Sequence, residues 1–315
     1  MNRRVAIIGT GWVGTSVAIS VLHSGAADEL WLHDARAAVA EGEAMDLTHG
    51  AAFYPSCKVR VASIEEMRQA QVVVVAAGRG GKPGESRLDL LRDNARLVSE
   101  IGHTLAGFAG TIVLVTNPVD VLTQVMTQAS GLPPARVLGT GTMLDTARLR
   151  QMLGQNLQVA TQSIHAQVVG EHGDSEVVLW SGARVGGVPL SDWPGWRAET
   201  QAALANEVRM AAYEVIQRKG ATNHAIGLVT ASLLKCLLRG ERRVLTVSRI
   251  QDGPLGLHGV ALSLPTLVGI EGGVQVLEPA MIEAEREALN HSADVLRHAL
   301  ASLEGRFQDP SATLG

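Results

Sequence analysis

One histidine of this chain has a setting suited to acid–base chemistry. The stretch "VVGEHGDSE" (168–176) places His172 in a polar turn between two glycines. An imidazole has an unperturbed pKa of about 6.5, so it can both give and take a proton near neutrality. The chain has ten histidines, and a single one is more often a surface or packing residue. The histidine therefore gains significance only if other segments supply it with partners.

A second segment, "GTGTMLDTARLR" (139–150), contributes a carboxylate and a guanidinium group. Asp145 and Arg148 are three residues apart, so on a helix they project from nearly the same face. An arginine can grip a carboxylate through two parallel hydrogen bonds, a geometry that lysine cannot copy. Thr142 and Asp145 also have the spacing of a capping box at a helix start. From the residues alone, capping and pairing with a histidine are equally supported.

The third segment is a glycine-rich turn near the N-terminus. "VAIIGTGWVG" places Gly9, Gly11 and Gly14 directly after a predicted strand and at the start of a predicted helix. Such glycines allow a tight turn, a close approach of the backbone to a pyrophosphate, and close packing of the helix on the sheet. Trp12 and Val13 lie between the last two glycines. They are further candidates for contact with a dinucleotide.

An acidic residue completes the predicted dinucleotide site. Asp34 follows the strand "LWLH" and lies about 20 residues after Gly14, where an acid that binds the ribose belongs. Its carboxylate would repel a 2′-phosphate and so favours NAD over NADP, whereas Arg36 acts in the opposite direction. Alternatively, Asp34 caps a helix that begins near Ala35, but that role leaves the glycines unexplained. We therefore predict NAD as the cofactor.

Strand and helix patterns alternate through the first half of the chain. Strands are predicted at 4–9, 30–33, 58–62, 72–77, 111–116 and 135–139, with amphipathic helices between them, such as 13–24 and 86–107. The strands are apolar on both faces, which is typical of a parallel sheet covered by helices on each side. The alternation predicts a doubly wound α/β fold, with a Rossmann domain over residues 1–140.

The pattern changes after about residue 141. Helices are predicted at 142–153, 197–218, 223–239 and 280–302, and strands at 242–248 and 258–269. The pairs Gly253–Pro254 and Gly272–Gly273 are typical of turns. These features predict a mixed α+β substrate domain over residues 141–315.

The bulk composition excludes several classes of protein. With 315 residues, of which 46% are hydrophobic, the chain can bury a substantial core. A net charge of −4 gives no basic footprint for nucleic acid or an anionic membrane. Cys57 and Cys236 are far apart in sequence and form no metal-spaced pair, which suits a reducing cytoplasm. We expect a soluble, cytoplasmic protein without a metal site.

The segments together resemble one known family. "KPGESRLDL", "TNPVD", "LDTAR" and "GEHGDS" occur in this order, and the chain resembles the L-lactate/malate dehydrogenase family, closest to its bacterial L-lactate branch, from residue 4 to about residue 301. The resemblance implies reversible hydride transfer between NADH and a 2-keto acid such as pyruvate, which gives an L-2-hydroxy acid such as L-lactate. It also implies a homotetramer or homodimer.

The resemblance assigns a role to each candidate residue. His172 matches the proton donor and acceptor, and Asp145 matches the acid that orients it. Arg148 matches the arginine that binds the substrate carboxylate. Asn117 matches a residue that hydrogen-bonds near the nicotinamide and the substrate oxygen, although an asparagine before proline is also an ordinary turn signal. Arg87 matches an arginine that a closing lid brings over the substrate carbonyl, where it stabilises the negative charge that develops.

The lid, "AAGRGGKPGESRLDLL" (76–91), departs from the family at its substrate selector. Gly78, Gly80 and Gly81 form its hinge-like portion. Gly81 occupies the selector position, which is usually glutamine for lactate and arginine for malate. Without a guanidinium group the second carboxylate of oxaloacetate lacks a partner, which argues against malate, and Glu85 also resembles the lactate branch. Glycine leaves room for larger 2-keto acids, such as phenylpyruvate or 2-ketoisocaproate.

Further matches to the family are weaker. Thr222 matches a pocket-wall residue of the lactate branch, although a helix N-cap is an equally simple role for it. Arg150 and His165 match a pair that binds fructose 1,6-bisphosphate between subunits in allosteric bacterial relatives, and Arg150 is equally well explained as an ordinary helix arginine. Malate dehydrogenase, a broad 2-hydroxyacid dehydrogenase and a non-catalytic nucleotide-sensing Rossmann protein are the alternative functions.

Overall fold

The molecule is built from fourteen strands and nine helices within the residues that the structure describes. The computed structural model describes residues 2–80 and 86–304, with Arg87 and Glu304 described by their backbone alone. The strands are β1 (Arg4–Ile8), β2 (Glu29–His33), β3 (Lys58–Val61), β4 (Val72–Val75), β5 (Thr111–Leu114), β6 (Val137–Gly139), β7 (Ile164–His165), β8 (Val168–Val169), β9 (Val177–Val178), β10 (Arg184–Val185), β11 (Val188–Pro189), β12 (Arg243–Asp252), β13 (His258–Gly269) and β14 (Gly272–Val276). The helices are α1 (Trp12–Ser24), α2 (Ala37–His49), α3 (Ile64–Met67), α4 (Arg87–Thr104), α5 (Val119–Ser130), α6 (Met143–Leu157), α7 (Gln201–Lys219), α8 (His224–Arg239) and α9 (Glu283–Glu304).

One nine-stranded sheet forms the centre of the fold, in the order β14-β13-β12-β6-β5-β4-β1-β2-β3. The six strands from β6 to β3 are parallel. Their order reverses between β1 and β4, because the chain runs outward from β1 in one direction and from β4 in the other. Ligands of doubly wound sheets bind in the crevice at the carboxyl ends of the strands at such a switch point.

Both faces of the central parallel strands β1, β4, β5 and β6 are buried, as their apolar sequences predict, whereas the edge strand β3 is partly exposed. In β1, Ala6 and Ile8 pack into one core with residues of α4, α5 and α9. Val5 and Ile7 point to the opposite face and pack with residues of α1 and α8. The sheet therefore has a helical layer on each side. Within the described ranges, every helix is too short or too polar to cross a membrane.

The second half of the chain extends the same sheet. Strands β12, β13 and β14 are antiparallel, and β12 joins the edge of the parallel strands beside β6. The predicted boundary after residue 140 falls between β6 and α6. Beyond the sheet, α6, α7 and the small strands enclose a third core around Leu149 and Leu153. The two halves therefore share one sheet, and the second half adds a core of its own.

The predicted α/β fold is confirmed, with two corrections. The six predicted strands of the first half correspond to β1 to β6. The short strands β7 to β11 were not predicted, because two residues are too few for a periodic pattern. Gly272 and Gly273 were predicted as a turn, but they begin β14. The turn lies just before them, and a Cβ on Gly272 would come within 2.0 Å of the carbonyl oxygen of Ala135.

Candidate active site

The turn between β1 and α1 needs two of its three glycines for packing. Gly9 has a φ of +94°, and a Cβ on it would lie 2.5 Å from the backbone nitrogen of Ala77. A Cβ on Gly14 would lie 1.9 Å from the carbonyl oxygen of Gly9. Gly11, in contrast, would place its Cβ in open space. The turn is therefore closed towards the sheet and open at Gly11, where a pyrophosphate would approach the backbone.

The first turn of α1 is suited to an anion. Gly11 is its N-cap and supplies no capping side chain, and the turn contains no acidic residue. The amide groups of a helix start that lack side-chain partners attract phosphate. Trp12 is 63% exposed at this end, whereas Val13 packs towards the core. The residues present therefore fit the diphosphate of a dinucleotide.

Asp34 binds the glycine-rich turn rather than capping α2. Its Oδ2 accepts hydrogen bonds from the backbone N–H and the hydroxyl of Thr10, at 3.0 and 3.2 Å. Its Oδ1 accepts one from the N–H of Arg36, at 3.0 Å. Burial alone would raise the pKa of Asp34, but these hydrogen bonds hold it below its ordinary value. Helix α2 begins at Ala37 without a side-chain cap, so the predicted alternative of a cap near Ala35 is wrong.

Asp145 is the centre of the predicted catalytic group. Its Oδ2 accepts a hydrogen bond of 2.5 Å from Nδ1 of His172, and its Oδ1 accepts one of 2.7 Å from Nη1 of Arg148. The Asp145 side chain is only 2% exposed. Thr142, the N-cap of α6, forms no capping hydrogen bond and donates its hydroxyl to Val168 instead. The structure thus decides between the two roles left open by the sequence, in favour of pairing with His172.

The charges of Asp145, His172 and Arg148 shift the pKa values of the acid and the histidine. Burial alone would lower the pKa of His172, but the charge and hydrogen bond of Asp145 raise it to about 9. Burial would raise the pKa of Asp145, and His172 together with Arg148 holds it below its ordinary value. An ion pair of this kind therefore keeps the imidazole protonated at neutral pH.

Two buried acids near His172 received no role from the sequence. Asp120 accepts a hydrogen bond from the backbone N–H of His172 at 2.7 Å, and burial raises its pKa to about 6. Burial and the charge of Asp145 raise the pKa of Glu176 to about 8. Asp120 lies in the segment "TNPVD" (116–120), and Glu176 lies in the segment "VVGEHGDSE" (168–176). Only their burial distinguishes them from surface acids, and a sequence pattern does not reveal it.

Asn117 and the described base of the lid (residues 76–80) lie at the same edge of the sheet. Asn117 is exposed just after β5, and its carbonyl oxygen accepts a hydrogen bond from Asn94 of α4 at 3.3 Å. Asn94 also binds the base of the lid, accepting from the N–H of Arg79 at 3.0 Å. The predicted selector Gly81 and Glu85 lie outside the described residues. Arg87 is the first residue of α4, and its side chain is not described.

Thr222 lies between α7 and α8 and is half-buried. The N-cap of α8 is the next residue, Asn223, so the alternative role of Thr222 as a cap is wrong. Asn223 donates to the hydroxyl of Ser16 at 3.0 Å and so joins this segment to α1, the helix that begins at the glycine-rich turn. The segment that contains Thr222 is therefore tied to the predicted cofactor site.

The predicted phosphate residues lie away from the His172 group. Arg150 and Arg243 line a cavity of about 280 Å³ between α6, α8 and β12. Nε of Arg150 donates to the carbonyl oxygen of Ala166 at 2.9 Å, and burial and Arg243 lower the Arg150 pKa. His165 is exposed on β7, next to Ala166. Among the described residues, no His, Cys, Asp and Glu cluster could hold a metal ion.

The chain is similar to known proteins along nearly its whole length. Residues 3–139 match the family model of the lactate/malate dehydrogenase NAD binding domain, and residues 142–305 match that of the alpha/beta C-terminal domain. An L-lactate dehydrogenase of Synechococcus sp. (strain JA-3-3Ab) is 42% identical, covering 95% of this chain and 98% of that protein. One of Thermus aquaticus is 43% identical, covering 95% and 99%. The ligand-bound crystal structure of the minor L-lactate dehydrogenase from Enterococcus mundtii has a TM-score of 0.93 and 38% identity, covering 96% and 98%.

Proposed function

The chain belongs to the lactate/malate dehydrogenase family, and we propose that it is an NAD-dependent L-lactate dehydrogenase that interconverts pyruvate and L-lactate. One observation carries the proposal: a buried carboxylate holds His172 and Arg148 together at the carboxyl edge of the sheet. The glycine-rich turn follows β1, Asn117 follows β5 and Asp145 follows β6, so the predicted cofactor and substrate groups share this edge.

Each side chain has a distinct task in this proposal. When bound, NADH supplies the hydride that reaches the keto carbon. His172, protonated at neutral pH because of Asp145, donates its proton to the carbonyl oxygen. Arg148 uses one nitrogen for Asp145, and its remaining N–H groups are available for the substrate carboxylate. Asn117 and Arg87 receive their roles, at the nicotinamide and over the substrate carbonyl, from the resemblance to the family.

Preference for NAD over NADP follows from the contacts of Asp34. Its two oxygens are engaged by Thr10 and by the Arg36 backbone, which fixes the carboxylate beside the glycine-rich turn. The Arg36 side chain is 75% exposed and lies 3.6 Å from Asp34 Oδ1. The arginine is therefore drawn towards the acid, and the repulsion of a 2′-phosphate by Asp34 dominates.

The proposal is tested by NADH oxidation with pyruvate, oxaloacetate and phenylpyruvate as substrates. We expect turnover with pyruvate, and we expect His172→Asn to reduce kcat by about 10²–10⁴-fold because the proton donor is removed. His298→Asn, an exposed histidine of α9, is the matched control and should retain full activity. Preference for oxaloacetate would identify a malate dehydrogenase, and NADH binding without turnover would identify a nucleotide sensor.

We propose further that Gly81 widens the range of substrates. Glycine at this selector position leaves space beside the methyl group of pyruvate, so larger 2-keto acids are accepted as well. Gly81→Gln should lower kcat/KM for phenylpyruvate relative to pyruvate by about 10–200-fold, the usual effect of one apolar pocket position. The neighbouring Gly80→Gln serves as a positional control. An unchanged ratio in Gly81→Gln would exclude the selector role.

The remaining parts of the proposal concern assembly and regulation. We infer that residues 1–140 bind the cofactor and residues 141–315 the substrate. The enzyme is expected to be a homotetramer or homodimer, in which Arg150 and His165 bind fructose 1,6-bisphosphate between subunits. Two free thiols, one buried and one half-buried, support a reducing cytoplasmic location.

A further inference from the structure

Asp120 joins two segments of the predicted active site. It lies in the first turn of α5, three residues after Asn117, and is 2% exposed. Its Oδ2 accepts a hydrogen bond of 2.7 Å from the backbone N–H of His172, which is 52 residues away in sequence. The carboxylate therefore fastens the proton donor to the segment that carries Asn117.

Residues 170–176 form the histidine loop. The hydrogen-bond partners of its first two residues, Gly170 and Glu171, are neutral groups. Gly170 exchanges two backbone hydrogen bonds of 2.9 Å with Ser263 of β13. The N–H of Glu171 donates to the hydroxyl of Ser292 on α9 at 2.8 Å. At His172 the acceptor is instead a buried carboxylate. Burying a charge is costly unless it is well paired. A neutral acceptor would therefore have satisfied the backbone N–H of His172 at a lower cost in free energy.

The charge of Asp120 acts on the imidazole. It raises the pKa of His172, in the same direction as Asp145 and against Arg148. The Asp120 carboxylate is itself influenced by three neighbours: Ser248 of β12 and His172 favour its ionised form, and Glu171 opposes it. Ser248 is near enough to lower the Asp120 pKa, although neither Asp120 Oδ1 nor Ser248 Oγ has a hydrogen-bond partner of good geometry among the described residues. Near neutral pH, Asp120 remains largely ionised.

We propose that Asp120 is a positioning residue that holds the His172 backbone against the Asn117 segment and places a second buried negative charge near the imidazole. The proposal rests on the function above, because it takes His172 as the proton donor. In this arrangement one carboxylate, Asp145, aligns the ring, and a second, Asp120, sets the position of the main chain beneath it. Catalytic groups on different segments must be held in fixed mutual geometry, and small displacements are costly in rate.

Two substitutions separate the charge of Asp120 from its hydrogen bond. Asp120→Asn keeps the shape and an acceptor oxygen for the His172 N–H but removes the charge. Asp120→Ala removes both and leaves a buried N–H without its acceptor. The matched control is Glu285→Gln, because Glu285 is also buried and accepts a hydrogen bond from a backbone N–H, that of Ser181, at 2.9 Å. Circular dichroism establishes that each variant is folded.

The first measurement is the NMR titration of the His172 ring in the full chain labelled with ¹⁵N-histidine. We expect its midpoint to fall by about one pH unit in Asp120→Asn, the scale typical of a lost neighbouring charge. Glu285→Gln should leave the midpoint unchanged. A midpoint in Asp120→Asn equal to that of the wild type would overturn the proposal. Because this titration needs no substrate, it decides the question even if the proposed function is wrong.

The second measurement is the pH profile of pyruvate reduction. In Asp120→Asn the alkaline limb should move to lower pH with the NMR midpoint, while KM changes little. In Asp120→Ala we expect kcat to fall by about 10–100-fold, as for a misplaced catalytic group. Asp120→Asn should recover most of that loss at a pH below its midpoint. Equal losses in the Asn and Ala variants at that pH would contradict the positioning role.

Discussion

At the scale of single residues, Asp145 determines how the predicted catalytic group is arranged. Each of its oxygens has a different cationic partner, so the guanidinium of Arg148 and the imidazole of His172 are held at a fixed separation. Because Nδ1 of His172 is engaged by Asp145, Nε2 is the nitrogen available to a substrate. One carboxylate therefore fixes both the ring orientation and the group proposed to bind the substrate carboxylate.

The raised pKa of His172 predicts the pH dependence of the two directions of reaction. Reduction of pyruvate needs the protonated ring, so its kcat/KM should be constant through neutral pH and fall above about pH 9. Oxidation of L-lactate needs the neutral ring and should rise through the same range. Asp145→Asn removes the charge that raises this pKa, so the midpoint should move down towards about 6.5 and kcat should fall by at least about 100-fold. Initial-rate pH profiles in both directions measure these effects.

Glu176→Gln is the control for that experiment. With a pKa of about 8, Glu176 is mostly uncharged at pH 7, so its amide should support a normal rate at that pH. An alkaline limb that disappears in Glu176→Gln, while Asp145→Asn keeps the wild-type limb, would assign the titration to Glu176 and not to His172.

Sequence and structure differ in what they reveal about these residues. The spacing of Asp145 and Arg148 predicted a shared helix face, and the structure confirms it. The sequence spacing did not distinguish a helix cap from a partner for His172, since that choice depends on a contact between residues that are 27 positions apart. Asp120 and Glu176 could not be identified as special, because their raised pKa values arise from burial in the folded chain.

At the scale of elements, the connections after the parallel strands place the functional groups. Strand sequences that are apolar on both faces were sufficient to predict the central strands of the sheet, since only a sheet covered on both sides buries them, whereas the edge strand β3 alternates charged and apolar residues. The short strands around the histidine loop follow no such pattern. Their positions depend on packing against the preceding helix α6 and on contacts with β13 and α9, which are remote in sequence.

The turn between β1 and α1 offers a pair of matched substitutions. Gly14→Ala should cost about 1–3 kcal/mol or more in stability, because the added methyl group meets the Gly9 carbonyl oxygen at 1.9 Å. Gly11 has a φ of −73° and open space around its Cβ position, so Gly11→Ala should fold normally. Its methyl group would occupy the path of the pyrophosphate, and we expect KM for NADH to rise about tenfold or more.

Thermal unfolding and NADH kinetics of the two variants measure these effects. Each variant is the control for the other, since one methyl group tests packing and the other tests the approach of the cofactor. If Gly11→Ala kept the wild-type KM for NADH, the pyrophosphate would not pass close to this backbone. Normal stability of Gly14→Ala would show that the helix can move away from the sheet.

At the scale of the whole molecule, distant parts of the chain hold one site. The histidine loop is held by Asp120 of α5, Ser263 of β13 and Ser292 of α9, which lie on three different elements. Since β12 also joins the sheet beside β6, the two halves of the chain form a continuous framework. The sequence predicted a Rossmann domain in the first half and a mixed α+β domain in the second, but the contacts between the two halves depend on the tertiary fold.

The cavity that contains Arg150 and Arg243 predicts how an anion would act on the whole assembly. Burial and the charge of Arg243 lower the pKa of Arg150, so a phosphate bound beside Arg150 would relieve the cost of its charge. If fructose 1,6-bisphosphate binds here between subunits, it should lower the apparent KM for pyruvate and favour the larger oligomer. Arg150→Gln should abolish both effects, whereas Arg218→Gln, an exposed arginine paired with Glu214, should not. Kinetics at low salt and sedimentation with and without the sugar bisphosphate measure them, and an equal response of Arg150→Gln and the wild type would place the effector elsewhere.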